Sequence, residues 1–502
     1  MGTVKLIAKT FDVDTVEPRA VIHDRDCIEI GVKEGERVLI STGKAQYVII
    51  ANKSDTVIER GHILIPEKVM KKLGASDGDE FTVTYSPKPE SVKGIRKKMD
   101  GQKLTKDEIN AIVVDILENK LSKIEVSAWL TALYINGMDI DEIADFTNAM
   151  VDTGERIHFD RTPVFDFHSV GGVPGNKVTP IVVSIVAAAG LMLPKTSSRA
   201  ISSACGTSDF VETFCDVELD ADRLKKISEE VGGVLAWGGS MNLAPVDDMV
   251  ISVENPLGIN PRAQMLASIM SKKLAIGATH LLVDIPTGPG TKVPTIEAAR
   301  AYVRDFMELG NKLGIHVECA VTYGDQPVGS AIGPILEARE CIRILEGSEH
   351  PSSVVEKACD LAGIILEMGG IPNGSEEAHR ILSSGAALKK FRQIVAAQGG
   401  NPELKSDDLK LGKFKLDVLS TTSGYVHSIK NKDLVQIART AGAPGDKGAG
   451  LLILKKKGQR VEKGDKIMEI YADVESKCQR AKDMCIKLQP VDIEGMLIER
   501  AG

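Results

Sequence analysis

The sequence predicts a multidomain protein of α/β and α+β class. It is expected to contain a small N-terminal β-barrel, a small all-helical domain, a large α/β domain with a mixed sheet, and a C-terminal α+β domain. Three observations support this expectation. The chain has 502 residues, enough for about three domains. Short strand-like segments give way to helical patterns near residue 85, and strands alternate with helices after Pro163.

Residues 1–84 are predicted to form the barrel, because β-branched segments with alternating polarity follow one another closely. The acidic turn that begins at Gly31 resembles the turn that begins at Gly74, and each precedes a strand. This similarity favours a duplicated small barrel, with two unrelated hairpin turns as the alternative. Residues 85–162 follow as the helical domain, in which Thr105 and Glu108 form a predicted helix cap. Part of the helices near 250–275 is a candidate addition to it.

Residues 163–420 are predicted to form the α/β domain, and residues 421–502 the α+β domain. In the α/β domain the strand VFDFHSV precedes the helix VTPIVVSIVAAAGL, and the strand HLLVDI precedes another long helix. In the C-terminal domain SGYVHSI, AGLLIL and MCIKLQP are interpreted as strands around the helix DLVQIARTAGA.

Composition excludes several classes of protein. The net charge of −8 argues against a partner that is a nucleic acid polymer. Eight cysteines without a CxxC pair indicate reduced thiols rather than a zinc site or a disulfide framework. The N-terminus lacks the apolar run of a signal peptide, and the longest apolar stretch is too short to cross a bilayer. A cytoplasmic location without a membrane partner is expected.

Four segments carry candidate binding chemistry. Glycines follow the first α/β strand from His168 to Lys177, where backbone N–H groups and a helix N-terminus can hold an anion; a plain tight turn is the alternative. Hydroxyls crowd the segment from Lys195 to Asp209 around Arg199, which suits phosphate and sugar oxygens; a capped helix start is the alternative.

Lysines supply the other two candidates. Ser268 and Lys272 lie four residues apart and share one helical face, where they could hold a base edge or a phosphate. Lys292 follows directly after the strand HLLVDI, and ligands bind at the carboxyl ends of α/β strands. Solvated surface lysines are the alternative in both places.

The segment KTSSRAISSACGTSDFVE resembles the signature of the thymidine and pyrimidine-nucleoside phosphorylase family. DFHSVGGV, SIMSKK and the Gly-x-Gly-x-Lys loop occur in the same order as in that family, and the similarity covers about residues 90–500. The additional N-terminal barrel resembles the archaeal branch, which acts on nucleoside 5′-monophosphates.

The resemblance implies an enzyme, a pentosyltransferase that uses inorganic phosphate to split an N-glycosidic bond. For the archaeal branch the implied reaction converts AMP and phosphate to adenine and ribose 1,5-bisphosphate, with CMP and UMP also accepted, in nucleotide salvage. It implies no metal and no organic cofactor. It also implies a homo-oligomer, a dimer or a larger assembly formed through the N-terminal barrel.

The resemblance also assigns residues by position. The implied catalytic positions are His168 and Asn260. The implied AMP- and phosphate-binding positions are Ser169, Gly171, Gly172, Ser197, Ser198, Arg199, Ala200, Ile201, Ser202, Ser203, Thr207, Ser268, Lys272 and Lys292.

Three positions depart from the family. Phe167 stands where the thymidine enzymes carry a lysine, and Val253 aligns with their base-binding arginine, so a plain pyrimidine nucleoside phosphorylase is disfavoured. Asn260 stands where the archaeal enzymes carry a proton-donating aspartate, and an amide cannot act as a general acid at neutral pH. His168 or water could donate instead, or protonation is not essential. A phosphoribosyltransferase and a non-catalytic nucleotide sensor are the remaining alternatives.

Overall fold

A computed structural model describes residues 2–13, 17–200 and 203–495. The chain forms two compact units, which are described separately. The first comprises Met1–Gly154 and Ala244–Ser271, and the second comprises Glu155–Leu243 and Lys272–Gly502.

The first unit opens with a closed barrel in the strand order β1-β5-β2-β4-β3-β6. Its interior is filled by aliphatic side chains together with Phe81. The similarity between the two glycine turns reflects a structural repeat. In each half a strand and a two-turn helix end at a glycine, Gly31 or Gly74, whose left-handed conformation reverses the chain into the next strand. The elements are β1 (Thr3–Phe11), β2 (Arg19–His23), α1 (Asp24–Ile30), β3 (Arg37–Ser41), β4 (Gln46–Ser54), β5 (His62–Pro66), α2 (Glu67–Leu73) and β6 (Glu80–Tyr85).

Helices complete the first unit. Thr105 and Glu108 form the expected capping box, and two further helices begin in the same way. Trp129 is fully buried against Phe146, with the two rings edge to face. The helices are α3 (Ser91–Met99), α4 (Lys106–Leu117), α5 (Lys123–Asn136), α6 (Ile140–Asp152), α10 (Pro245–Leu257) and the larger part of α11 (Arg262–Ala275).

The second unit begins with the α/β domain, in which β11, β10 and β7 pair in parallel and β8 and β9 pair in parallel. Helix α7 is buried along nearly its whole length because almost every side chain in it is apolar. The elements are β7 (Phe165–Ser169), α7 (Val178–Ala188), β8 (Leu193–Ser197), α8 (Thr207–Val211), α9 (Ala221–Val231), β9 (Gly233–Trp237), β10 (His280–Thr287), α12 (Ile296–Leu313), β11 (His316–Tyr323), β12 (Ala331–Ile332), α13 (Pro334–Leu345), α14 (Ser352–Met368), α15 (Gly374–Ser383) and α16 (Ala386–Ala397).

The C-terminal domain corrects one strand prediction. MCIKLQP lies mostly in a helix, not in a strand, because Cys478, Ala481 and Cys485 recur at helical spacing and are all buried on one face. The elements are β13 (Phe414–Leu419), β14 (Gly424–Ile429), α17 (Asn431–Ala441), β15 (Gly450–Ile453), β16 (Arg460–Val461), β17 (Lys466–Ala472), α18 (Glu475–Leu488) and β18 (Val491–Glu494).

The predicted fold class is therefore confirmed: barrel, helical bundle, α/β domain and C-terminal α+β domain all form. In the part of the chain that the structure describes, no helix has the length and apolar character needed to cross a membrane.

Candidate active site

A buried carboxylate organises the end of strand β7. Asp284 is fully buried in β10, and its Oδ2 accepts a hydrogen bond from Ser169 Oγ at 2.7 Å. Its Oδ1 accepts from Thr322 Oγ1 at 2.5 Å, and Lys357 Nζ lies 2.9 Å from Oδ2 as an ion pair. Asn176 Nδ2 donates to Ser169 Oγ at 3.1 Å. Together these contacts fix the hydroxyl of Ser169 at the strand end, where the sequence predicted it.

Two glycines after this strand bring two loops together. Gly171 and Gly172 both have positive φ, of 87° and 92°. A Cβ on Gly172 would lie 2.6 Å from the backbone nitrogen of Lys292, whereas a Cβ on Gly171 would meet no atom within 4 Å. Consecutive glycines in this conformation leave their N–H groups unobstructed, which suits an anion. The structure thus places Gly172 and Lys292, two predicted site residues, side by side.

Lysines surround the histidine of the same strand. Asp166 and Lys273 form a buried ion pair of 2.7 Å, and Lys195 is buried beside it. Burial, followed by the charges of Lys273, Lys195, Lys292 and Lys272, holds the pKa of His168 well below its usual range. The imidazole is therefore neutral at pH 7 in the ligand-free protein, and the charges of four lysines act on it.

The serine-rich segment leaves the neighbouring strand. Phe165 N–H donates to the carbonyl of Met192 at 3.0 Å, so the beginning of β7 lies next to the beginning of β8. Ser197 ends β8. Asp209 ties the next loop together, because its Oδ2 accepts from Ala200 N–H at 2.7 Å and from Gly206 N–H at 2.8 Å.

Further hydrogen bonds hold the backbone of the loop between Ser198 and Ser208. The N–H of Ser208 donates to the carbonyl of Ser198 at 3.4 Å, and Thr207 begins helix α8. Ser203 Oγ donates to the carbonyl of Cys205 at 3.2 Å. Ile201 and Ser202, also assigned to the site from the sequence, lie outside the described residues.

Arg199 is engaged by the protein itself. Its guanidinium pairs with Glu212 and, at 3.0 Å, with Glu218, and it stacks over Trp237 at 4.8 Å from the ring centroid. Contact between Arg199 and a substrate phosphate remains a prediction. The contacts that Arg199 makes in the structure anchor the loop that contains Ser198 and Ala200.

Lys177, at the end of the glycine-rich segment, is fully buried and pairs with Glu340. It also donates to the carbonyl of Val328 at 3.0 Å. This lysine therefore stabilises the loop behind the site.

Ser268 and Asn260 belong to the first unit. Ser268 Oγ donates to Asp247 Oδ2 at 2.8 Å, and Gln264 Nε2 donates to the other oxygen of the same fully buried carboxylate at 3.0 Å. Asn260 is exposed between α10 and α11. Because the hydroxyl of Ser268 donates its hydrogen bond to Asp247, it can only accept a further hydrogen bond.

Sequence reasoning missed the carboxylates and lysines beneath the site: Asp166, Lys195, Lys273, Asp284 and Lys357. One local signal was available, since an aspartate interrupts the apolar strands FDF and HLLVDI. A charge in a buried strand requires a partner, but the partners come from distant helices and could not be named from the sequence.

Three family models match successive parts of the chain. A glycosyl transferase family helical bundle domain matches residues 92–154. A glycosyl transferase family a/b domain matches residues 161–388, and a pyrimidine nucleoside phosphorylase C-terminal domain matches residues 425–490.

Curated relatives match nearly the whole length of the chain. AMP phosphorylase 1 of Archaeoglobus fulgidus is 48% identical over 96% of both chains. The AMP phosphorylase of Thermococcus kodakarensis is 48% identical over 99% of this chain and 100% of its own. The AMP phosphorylase of Methanocaldococcus jannaschii is 46% identical over 99% of each.

A solved structure shares the fold of part of the chain. The anthranilate phosphoribosyltransferase of Thermus thermophilus superposes with a TM-score of 0.52 at 20% identity, over 61% of this chain and 99% of its own.

Proposed function

The chain belongs to the AMP phosphorylases, and from that membership we propose that it catalyses phosphorolysis of AMP to adenine and ribose 1,5-bisphosphate. The relatives named above carry that activity in their names over nearly the full length of the chain. The observation in the structure that supports the proposal most strongly is the group of four lysines around His168, whose charges act together with burial to lower the pKa of the imidazole; burial is the larger cause. Lysines gathered in this way favour the binding of anions, and AMP and phosphate together supply two.

The reaction is proposed to be a direct displacement at C1′ of the ribose. A phosphate oxygen forms the new bond to C1′ while the bond from C1′ to N9 of adenine breaks and its electron pair leaves with the base. No protein nucleophile is required, because phosphate itself attacks. The protein must instead hold two anions in line and offset their repulsion, which preformed dipoles and cations do best. The N–H groups of Gly171 and Gly172 and the ammonium of Lys292 are the proposed donors to phosphate. Ser169 donates its hydroxyl proton to Asp284, so its proposed contact is to accept from the protonated oxygen of phosphate.

The leaving base also needs a proton. The amide of Asn260 cannot supply one, so His168 is the proposed donor. In the ligand-free protein burial and the surrounding lysines lower the pKa of His168. Two bound anions would offset the lysine charges and raise the pKa of His168 again, so that the imidazole would acquire its proton when both substrates are present.

CMP and UMP are proposed as further substrates, with Ser268 and Lys272 at the base. Because Ser268 donates its hydrogen bond to Asp247, that hydroxyl can accept a hydrogen bond from an amino group of adenine or cytosine. A role in nucleotide salvage and assembly into a homo-oligomer through the N-terminal barrel are likewise proposals from the family.

The experiment that tests this function compares AMP with adenosine. Purified protein is incubated with either substrate, with and without inorganic phosphate, and released adenine is quantified. Adenine is expected from AMP only when phosphate is present, with kcat/KM at least about 10²-fold above that for adenosine, because the lysine field stabilises the 5′-phosphate.

Two outcomes would contradict the proposal. Preference for adenosine would indicate a nucleoside phosphorylase. AMP binding without phosphate-dependent release of adenine would indicate a nucleotide sensor, the alternative that Asn260 favours.

A further inference from the structure

Lys195 is a buried cation without a carboxylate of its own. It lies in strand β8 with 4% of its surface exposed, and its Nζ donates a 2.5 Å hydrogen bond to the carbonyl of Thr196. Within the described residues no carboxylate forms an ion pair with Lys195. A buried ammonium with a single neutral acceptor is costly, since it loses its hydration without gaining a counter-charge.

The neighbouring charges do not compensate it. Among the described residues the carboxylate that acts on Lys195 is Asp166. Its Oδ2 is already paired with Lys273 at 2.7 Å, and its Oδ1 accepts from Phe167 N–H at 2.6 Å. Lys273, Asp166 and His168 are the titratable groups that face this part of β8 from α11 and β7. Two ammonium groups therefore lie near one carboxylate, which pairs with Lys273, and this cluster lacks one negative charge.

We propose that Lys195 is the cation that couples phosphate binding to proton uptake: inorganic phosphate binds to the state in which Lys195 carries its proton, and supplies the missing negative charge. This inference rests on the proposed function only in taking phosphate as the anion. The proton comes from solvent and is bound at Nζ of Lys195. Because no contact between Lys195 and phosphate is required, Lys195 is a positioning residue that acts on phosphate through its charge.

The ionisation of Lys195 agrees with this coupling. Burial, together with the ammonium of Lys273, lowers the pKa of Lys195 to about 7 in the ligand-free protein. Above pH 7 the free site therefore loses this proton, whereas a bound dianion raises the pKa of Lys195 and retains it. Phosphate binding should weaken as the pH rises above 7, and binding at pH 8 to 9 should take up a proton.

The effect on folding has the same origin and a defined sign. In the unfolded chain the pKa of a lysine is near 10.5, so the unfolded state binds the additional proton between pH 7 and 10.5. The contribution of Lys195 to the stability of the ligand-free protein is therefore least favourable below pH 7 and improves as the pH rises through that interval. Removing the amine should raise the melting temperature of the ligand-free protein at pH 6.5, and by less at pH 9.5.

The test uses the full-length protein and inorganic phosphate. Titration calorimetry in buffers of different ionisation enthalpy gives the number of protons bound, for wild type, Lys195→Met and a matched variant, Lys456→Met. Lys456 is also a lysine with a burial-lowered pKa, but it donates to the carbonyls of Pro327 and Gly329. Wild type and Lys456→Met should take up close to one proton at pH 8.5, and their Kd should rise by up to about tenfold from pH 8 to pH 9. In Lys195→Met both effects should nearly vanish.

Retention of the proton uptake by Lys195→Met would overturn the inference, as would a lower melting temperature of this variant at pH 6.5. If Lys195→Met does not fold, the same measurements are made with Lys195→Gln. AMP turnover by the wild-type sample separates the two proposals. Proton uptake without turnover would defeat the proposed function alone, and turnover with unchanged uptake in the variant would defeat only the role of Lys195.

Discussion

Alanine at Gly172 is expected to remove most of the phosphorolysis of AMP, by about 10²-fold in kcat/KM or more, while alanine at Gly171 costs far less. Both glycines have positive φ, so both substitutions pay a similar backbone cost of about 1–2 kcal/mol. The two substitutions differ in the space that is available for the added Cβ. The new Cβ at Gly172 would lie 2.6 Å from the nitrogen of Lys292 and 3.1 Å from the Cα of Thr291, and both are backbone atoms that cannot turn away. A displacement of about 1 Å between catalytic loops can cost 10²-fold.

The Gly171→Ala variant is the matched control for this prediction. It carries the same side chain in the same backbone conformation, with no atom within 4 Å of the added carbon. Steady-state kinetics with AMP and phosphate, and the melting temperature of each variant, separate the two effects. Similar melting temperatures with a large difference in kcat/KM would agree with the close approach of the two loops. Equal loss of activity in both variants would contradict it.

Alanine at Lys292 is expected to lower kcat/KM for AMP by about 10²-fold while leaving the fold intact. Lys292 follows the strand that carries Asp284, lies against Gly172, and acts electrostatically on His168. Loss of a preorganised charge at a reacting phosphate costs about 10² to 10³ in rate. The pH profile should change as well. With one cation fewer, the pKa of His168 in the free enzyme should rise. Because His168 must carry its proton to act as the donor, the alkaline limb of the kcat/KM profile should move to higher pH.

Lys463→Ala provides the control for Lys292→Ala. Lys463 is exposed in the turn before β17, and its truncation changes the net charge by the same amount. Normal kinetics in Lys463→Ala, together with the loss in Lys292→Ala, would show that the position of the charge matters. If Lys292→Ala retained wild-type rates and an unshifted pH profile, Lys292 would have no part in the reaction.

The fold could be predicted well from the sequence because its signals are local. Period-two segments in the barrel, capping boxes at Thr105 and elsewhere, and alternating strands and helices after Pro163 all appear in the structure. The segment MCIKLQP was predicted as a strand but lies mostly in helix α18. A short apolar run does not distinguish a strand from a buried helix, and the deciding spacing extends back to Cys478.

The candidate site was predictable only in part. Glycines and hydroxyls at strand ends identify an anion site, because their chemistry is visible in consecutive residues. The buried charges next to these glycines and hydroxyls cannot be predicted from consecutive residues. Asp284 is held by a threonine of β11 and a lysine of α14, and Asp166 is held by a lysine of α11. Likewise Arg199, with the residue type expected of a phosphate ligand, is paired with Glu212 and Glu218, and only the folded loop reveals it.

In the proposed reaction, phosphate itself attacks C1′ of AMP near His168 and the lysines around it. The most direct test follows the phosphorus atom, using AMP and ³²P-labelled inorganic phosphate with wild-type protein. We predict a ribose bisphosphate labelled on the C1 phosphate alone, formed in equal amount to adenine. Release of adenine with unlabelled ribose 5-phosphate, or label that fails to enter any sugar product, would show that phosphate is not the nucleophile and would contradict the mechanism.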